Sequence, residues 1–298
     1  MRNNVFKTVI VLLLICSFFC VFTACDDKND DGGNDSPEYE KDGHFIYFGH
    51  YPQTIKADGV TVSDTADSED YYLGSDGEMY AKVVATPYDS KKEFSNGDTI
   101  VADDTCYFKV EPIRWRILDE VDGKAFILCD SIIDSYYFDS HSNNYKNSSI
   151  RAWLNGTFCN KAFDETERSI ILTTTVDNSP ASTGHNINPR ACEDTADKVF
   201  LLSYVEVKNS RYGFSGTSQD DEARKMVTSD YSRANGAYTA YGDYYGNGIW
   251  WLRSPNCSSD LSISRARNVH EDGNVEYDRY DRVYFPEYGV VPAMWIQL

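Results

Sequence analysis

Apolar positions along this chain fall into short runs rather than into long helical stripes. Runs rich in β-branched and aromatic residues occupy 44–49, 105–110, 113–119 and 124–130, and later 171–176, 198–202, 249–253, 261–269 and 290–296; all are expected to be strands. Arg114 to Leu118 and Lys124 to Leu128 flank Asp122-Gly123, a dipeptide that tolerates positive φ at both central turn positions, which predicts a two-residue hairpin. Helix signals are few. Ser148 or Ser149 can cap a helix through Ile150 to Leu154, and Asp164 with Glu167, and Ser203 with Glu206, each place a carboxylate three residues after a capping side chain. Ile170 and Ile171, and Tyr204 and Val205, would give those two helices apolar faces. The expected fold class is α+β, a sheet-dominated single domain with a few short helices packed on it.

One apolar run stands apart. Positions 9–22 lie behind Arg2 and Lys7, and at roughly 14 residues the run falls short of the ~20 that span a bilayer as a helix. The layout is that of a removable export signal over residues 1–24. Phe22-Thr23-Ala24-Cys25 resembles the lipobox of bacterial lipoproteins, with Phe22 departing from the commoner Leu. The resemblance implies lipidation at Cys25, a membrane partner through the lipid anchor, and a position outside the cytoplasm. An ordinary secretory signal is the alternative. Residues 25–43 hold almost nothing apolar and read as a lipidated cysteine with an acidic flexible tether, leaving 44–298 as the folded domain.

Charge narrows the partners. Asp and Glu number 47 against 28 Lys and Arg, a formal net charge of −19 that repels nucleic acid and anionic membrane surfaces, so no nucleic-acid partner is expected. Cysteines at 106, 129, 159, 192 and 257 are odd in number and scattered, with no Cys-x-x-Cys spacing, and predict neither a metal site nor a particular pairing. Asp27-x-Asn29-x-Asp31-Gly32 with Glu38 satisfies the expression for a calcium-binding loop, but it starts two residues after Cys25 and carries polar Asn34 where an apolar residue packs. A tether of this composition matches by chance, and no metal or cofactor is expected.

Six ordered segments carry a resemblance over nearly the whole folded part: Tyr47-Phe48-Gly49-His50-Tyr51-Pro52-Gln53, Pro112-Ile113-Arg114-Trp115-Arg116-Ile117-Leu118, Ser149-Ile150-Arg151-Ala152-Trp153-Leu154-Asn155, Asp197-Lys198-Val199-Phe200-Leu201-Leu202-Ser203, Trp250-Trp251-Leu252-Arg253-Ser254-Pro255 and Gly289-Val290-Val291-Pro292-Ala293-Met294-Trp295-Ile296. The series resembles the bacterial domain of unknown function 6273, found in surface lipoproteins and multidomain secreted proteins. Relatives usually carry Arg where this chain has Val291. The C-terminal half is also similar in layout to the C-type-lectin-like folds of formylglycine-generating enzymes. That chemistry relies on two reactive cysteines near the C-terminal end, and only Cys257 lies there, so the activity is not carried over.

No motif announces a nucleophile with its base, and His44, His50, His141, His185 and His270 are scattered, so no catalytic residue is assigned. Aromatic density is the stronger signal. Residues 231–251 hold five tyrosines together with Trp250 and Trp251. These two, with Trp115, Trp153 and Trp295, are set in apolar context and are expected to fill the core, while Arg253 is expected to form a structural pair or to stack on an aromatic face. Tyr241, Asp243, Tyr244 and Tyr245 occupy a glycine-punctuated loop and form the candidate ligand-binding set, since exposed phenol rings stack on sugars and suit protein interfaces. The expected function is a membrane-anchored extracellular lipoprotein with a non-catalytic binding domain for carbohydrate or a surface protein. The alternatives are a secreted enzyme acting on cell-envelope polymers or exported proteins, and a purely structural surface protein.

Overall fold

Two larger sheets and a two-stranded antiparallel ribbon share one core, and a single long strand organises the largest. The computed structural model describes residues 39–90, 92–257, 264–276 and 279–298. The leader, Cys25, the calcium-loop expression at 27–38 and part of the run 261–269 lie outside the described residues. The first strands are β1 (Glu40–Asp42), β2 (Phe45–Ile55), β3 (Tyr71–Leu73), β4 (Met79–Val84), β5 (Thr105–Val121) and β6 (Lys124–Cys129). The ladder thus begins at Glu40, within the acidic stretch before residue 44. β5 joins both runs expected at 105–110 and 113–119, passing through Pro112 where the register of β2 shifts between Tyr47 and His50. A bulged ladder tolerates the missing proline N–H. β2 lies along one edge of β5, and β4 and β6 divide the other. Asp122 and Gly123, both at positive φ, close the β5–β6 hairpin as their identities predict.

The chain continues through β7 (Asp134–Ser135), α1 (Ser149–Trp153), α2 (Cys159–Ala162), α3 (Glu165–Ile170), β8 (Thr174–Val176), β9 (Thr195–Asp197) and β10 (Val199–Phe200). It ends with α4 (Asp230–Ala234), β11 (Trp250–Pro255), β12 (Arg265–Val269), β13 (Tyr280–Arg282), β14 (Gly289–Val290) and β15 (Ala293–Gln297). The larger sheet follows the order β1-β2-β5-β6-β15-β10, and the smaller the order β13-β12-β11-β14-β7 with β11 and β14 parallel. The run 290–296 therefore divides between two sheets. The chain crosses from one to the other at Val291 and Pro292, and Val291 is fully buried, so this position supplies core rather than charge.

Side chains cut several expected elements short. The Asn155 carboxamide accepts the N–H groups of Lys198 and Val199 and donates to the Val199 carbonyl, taking the place of a strand partner and leaving β10 two residues long. Asn155 itself sits in a π-helical turn, Leu154–Phe158, that joins α1 to α2. Ser148 caps α1, and Asp164 and Glu167 form the reciprocal capping box of α3. Ser203 and Glu206 exchange the same pair of bonds, yet they start only a 3-10 turn, Glu206–Lys208. Asn209 stops it by leaving helical φ/ψ and capping the next turn at Arg211.

Trp115, Trp250 and Trp251 are fully buried, and each indole N–H donates to a carbonyl, of Phe48, Arg224 and Tyr136 respectively. Trp153 and Trp295 pack half-buried at the edge of the same core. No disulfide joins the five described cysteines to one another. Among the described residues no helix is long and apolar enough to cross a membrane, and no group of three His, Cys, Asp or Glu side chains could hold a metal ion.

The long irregular stretch between β10 and β11 is held by buried cations. Arg224 donates to the carbonyls of Gly273, Val207, Thr217 and Gln219. Arg253 binds the Leu201 and Asp177 carbonyls and forms a two-pronged ion pair with Glu206, which is the structural pairing its sequence context predicts. Arg233 reaches the Glu93 carbonyl and the Thr228 hydroxyl. Buried carbonyls in loops need donors, and a guanidinium supplies five in a fixed fork.

Gly49 of β2 tests the packing. It adopts φ +68, and a Cβ there would come 2.4 Å from the Phe163 ring. Gly49→Ala is expected to cost about 2–4 kcal/mol, read as a lower urea midpoint with the slope unchanged.

Candidate ligand-binding site

The loop after α4 owes its shape to glycines and short backbone bonds. Ser229 caps α4, Gly236 turns the chain at φ +97, and Ala240 N–H pairs with the Asn247 carbonyl at 2.7 Å. Between them a 3-10 turn, Gly242–Tyr244, is bracketed by Gly242 and Gly246, both at positive φ. The loop is thus closed at its base and presents its tyrosines outward: Tyr241 is 50% exposed and Tyr245 56%.

Facing this loop are Asp89, Lys92 and Glu93. Together they enclose a cavity of about 150 Å³ lined by Lys92, Glu93, Thr239, Ala240, Tyr241 and Tyr245. Lys92 is the link between the two. Its side chain is 3% exposed, its ammonium donates to the Thr239 carbonyl and lies 3.5 Å from Asp89, and the Tyr241 ring covers it at 3.8 Å from the centroid. Tyr238 and Tyr88 complete the ring of aromatic faces at 5.4 and 5.6 Å. Burial pulls the Lys92 ammonium below its ordinary pKa and Asp89 opposes that shift. A buried cation of this kind is stable only when paired, stacked and hydrogen-bonded together.

The outer phenols are oriented by carboxylates. The Tyr241 hydroxyl donates to Asp89 at 3.1 Å, and the Tyr245 hydroxyl donates to Glu93 at 3.4 Å. Burial, then the Asp89 hydrogen bond, pushes Tyr241 up to about 12. Of the four loop residues singled out in the sequence, Tyr241 and Tyr245 line the cavity. Asp243 is exposed outside it, and Tyr244 is half-buried outside it with the Lys225 ammonium 5.2 Å over its ring. Sequence reasoning missed Asp89, Lys92 and Glu93. No local pattern marks them, because their role comes from a partner loop about 150 residues further along. The arrangement holds no nucleophile with a base; it offers two ring faces, carboxylate acceptors and a shallow cavity.

Residues 122–298 match the family model described as a domain of unknown function (DUF6273), more than half of the chain. No curated protein and no solved structure matches the chain. The tyrosine loop lies inside the matched residues, whereas Asp89, Lys92 and Glu93 lie before them.

Lys92→Met keeps the bulk of the side chain and removes its charge and donors. It is expected to lower stability by about 1–3 kcal/mol and to speed amide exchange in residues 238–245 selectively, measured by urea unfolding and hydrogen exchange. Alkaline titration gives a second check. Tyr71, Tyr136 and Tyr241 are each pushed up to about 12, chiefly by burial, with carboxylates adding to the shift at Tyr71 and Tyr241 and Tyr137 adding to it at Tyr136. An unfolded tyrosine ionises near 10, so the folded state favours the neutral phenols. Their stabilisation is complete below about pH 10 and is lost as pH rises through about 12, which unfolding midpoints across that window should follow alongside tyrosinate absorbance.

Proposed function

We propose, for a chain that belongs to the family of domain of unknown function DUF6273, that it is a membrane-anchored extracellular lipoprotein whose folded part binds carbohydrate without catalysis. The observation that carries this reading is the pair of exposed rings, Tyr241 and Tyr245, flanking a cavity whose rim bears Asp89 and Glu93. Ring faces stack against the C–H faces of a pyranose, and carboxylates accept from its hydroxyls. The cavity takes one sugar unit rather than a long segment of polymer. A formal net charge of −19 favours neutral over anionic glycans.

The charged, then apolar leader and the Phe22-Thr23-Ala24-Cys25 sequence support anchoring by lipid at Cys25. The smaller sheet, with its short strands, supports a layout related to C-type-lectin-like domains. Loops on a rigid scaffold are where such domains bind.

Residues 26–298, applied to an array of neutral glycans, should bind a subset of them. Tyr245→Ala and Tyr241→Ala should each weaken that binding by about tenfold, ~1.4 kcal/mol, with Tyr245→Ala leaving thermal stability unchanged. An array with no binder above background, together with recovery of a defined envelope protein on the same tyrosine face, would replace carbohydrate with a surface-protein ligand.

A further inference from the structure

A second constellation lies apart from the tyrosine-lined cavity and shares no residue with it. Cys257 Sγ is 2.9 Å from His185 Nε2, across 72 residues of chain. Both side chains are part-exposed. Each is delivered by a defined piece of structure. The 3-10 turn Pro180–Thr183 ends at Gly184, whose left-handed conformation at φ +79 swings the chain toward His185. Only glycine fits there, because a Cβ would meet the Tyr204 ring at 2.6 Å. Cys257 follows β11 by two residues. The loop and the strand are pinned together close to the pair: Tyr204 N–H donates to Ser254 Oγ at 2.9 Å, and Arg253 donates to the Asp177 carbonyl at 3.1 Å. The buried Arg267 guanidinium stacks on the same Tyr204 ring at 4.1 Å.

We propose that Cys257 and His185 form a nucleophilic thiol–imidazole pair that undergoes exchange with disulfides. A thiol with an adjacent imidazole is the general arrangement for an activated sulfur nucleophile. His185 Nε2 takes the thiol proton, and Cys257 Sγ attacks one sulfur of the incoming disulfide. A new S–S bond forms as the old one breaks, and the departing thiolate collects the proton from His185, so one disulfide and one thiol become one mixed disulfide and one thiol. Burial and the Arg267 charge lower the His185 pKa, leaving a neutral imidazole able to accept that proton near neutral pH. Cys129 and Cys159 are buried, and at Cys106 and Cys192 burial is the main cause raising the thiol above its ordinary pKa. The ligand class is a neutral or cationic disulfide, since the acidic chain disfavours an anionic one.

The test uses the full chain and 4,4′-dithiodipyridine, an uncharged aromatic disulfide, near neutral pH, with the modified cysteines located by peptide mass mapping. Cys257 is expected to react roughly tenfold or more faster than Cys106 and Cys192, and His185→Ala to bring it down to their level. Equal rates at Cys257, Cys106 and Cys192 in the unmodified protein would overturn the proposal without recourse to any variant. So would an unchanged Cys257 rate in a folded His185→Ala chain. Cys257→Ser should remove the fast phase and leave the slow ones.

Discussion

Buried cations bound to loop carbonyls are the constraint on which this structure rests. Between β10 and β11 the chain runs about 50 residues with one five-residue α-helix and otherwise only short 3-10 turns, so most of its carbonyls lack a ladder partner. Burying them unpaired would cost roughly 1–3 kcal/mol each. Arg224, Arg253 and Lys92 answer that demand with bonds to the Val207, Thr217, Gln219, Leu201 and Thr239 carbonyls, and Arg233 reaches out of the stretch to the Glu93 carbonyl; all four side chains are almost completely buried. The cations are thereby withdrawn from the surface of an already acidic chain.

The same device builds the candidate site. Arg233 holds Glu93 by its carbonyl, and Lys92 holds Thr239 by its carbonyl, so two loops distant in sequence are fixed face to face. Tyr241 covers the ammonium and is oriented by Asp89, which leaves its outer ring face toward solvent. A ring held in this way loses little further freedom when a ligand stacks on it. The site joins two parts of the chain with different relationships: the tyrosine loop falls within the DUF6273 match, and its acidic and basic counterpart precedes it.

Local rules account for the elements that were legible. Asp122-Gly123 favours a tight turn, Ser148 and the Asp164–Glu167 pair favour a helix start, and both outcomes follow from side-chain chemistry within a few residues. Elements decided by distant partners were misjudged in length. Asn155 truncates β10, and the 290–296 run divides because its two ends find partners in different sheets.

The sequence by itself determined the fold class, the burial of Trp115, Trp250 and Trp251, and the hairpin, because hydrophobic alternation and turn chemistry act over short spans of chain. Tertiary structure alone decided that Lys92 sits under Tyr241 and that His185 meets Cys257. Both are contacts between loops whose positions are set by where buried carbonyls find their donors, and that pairing leaves no periodicity in the chain to read.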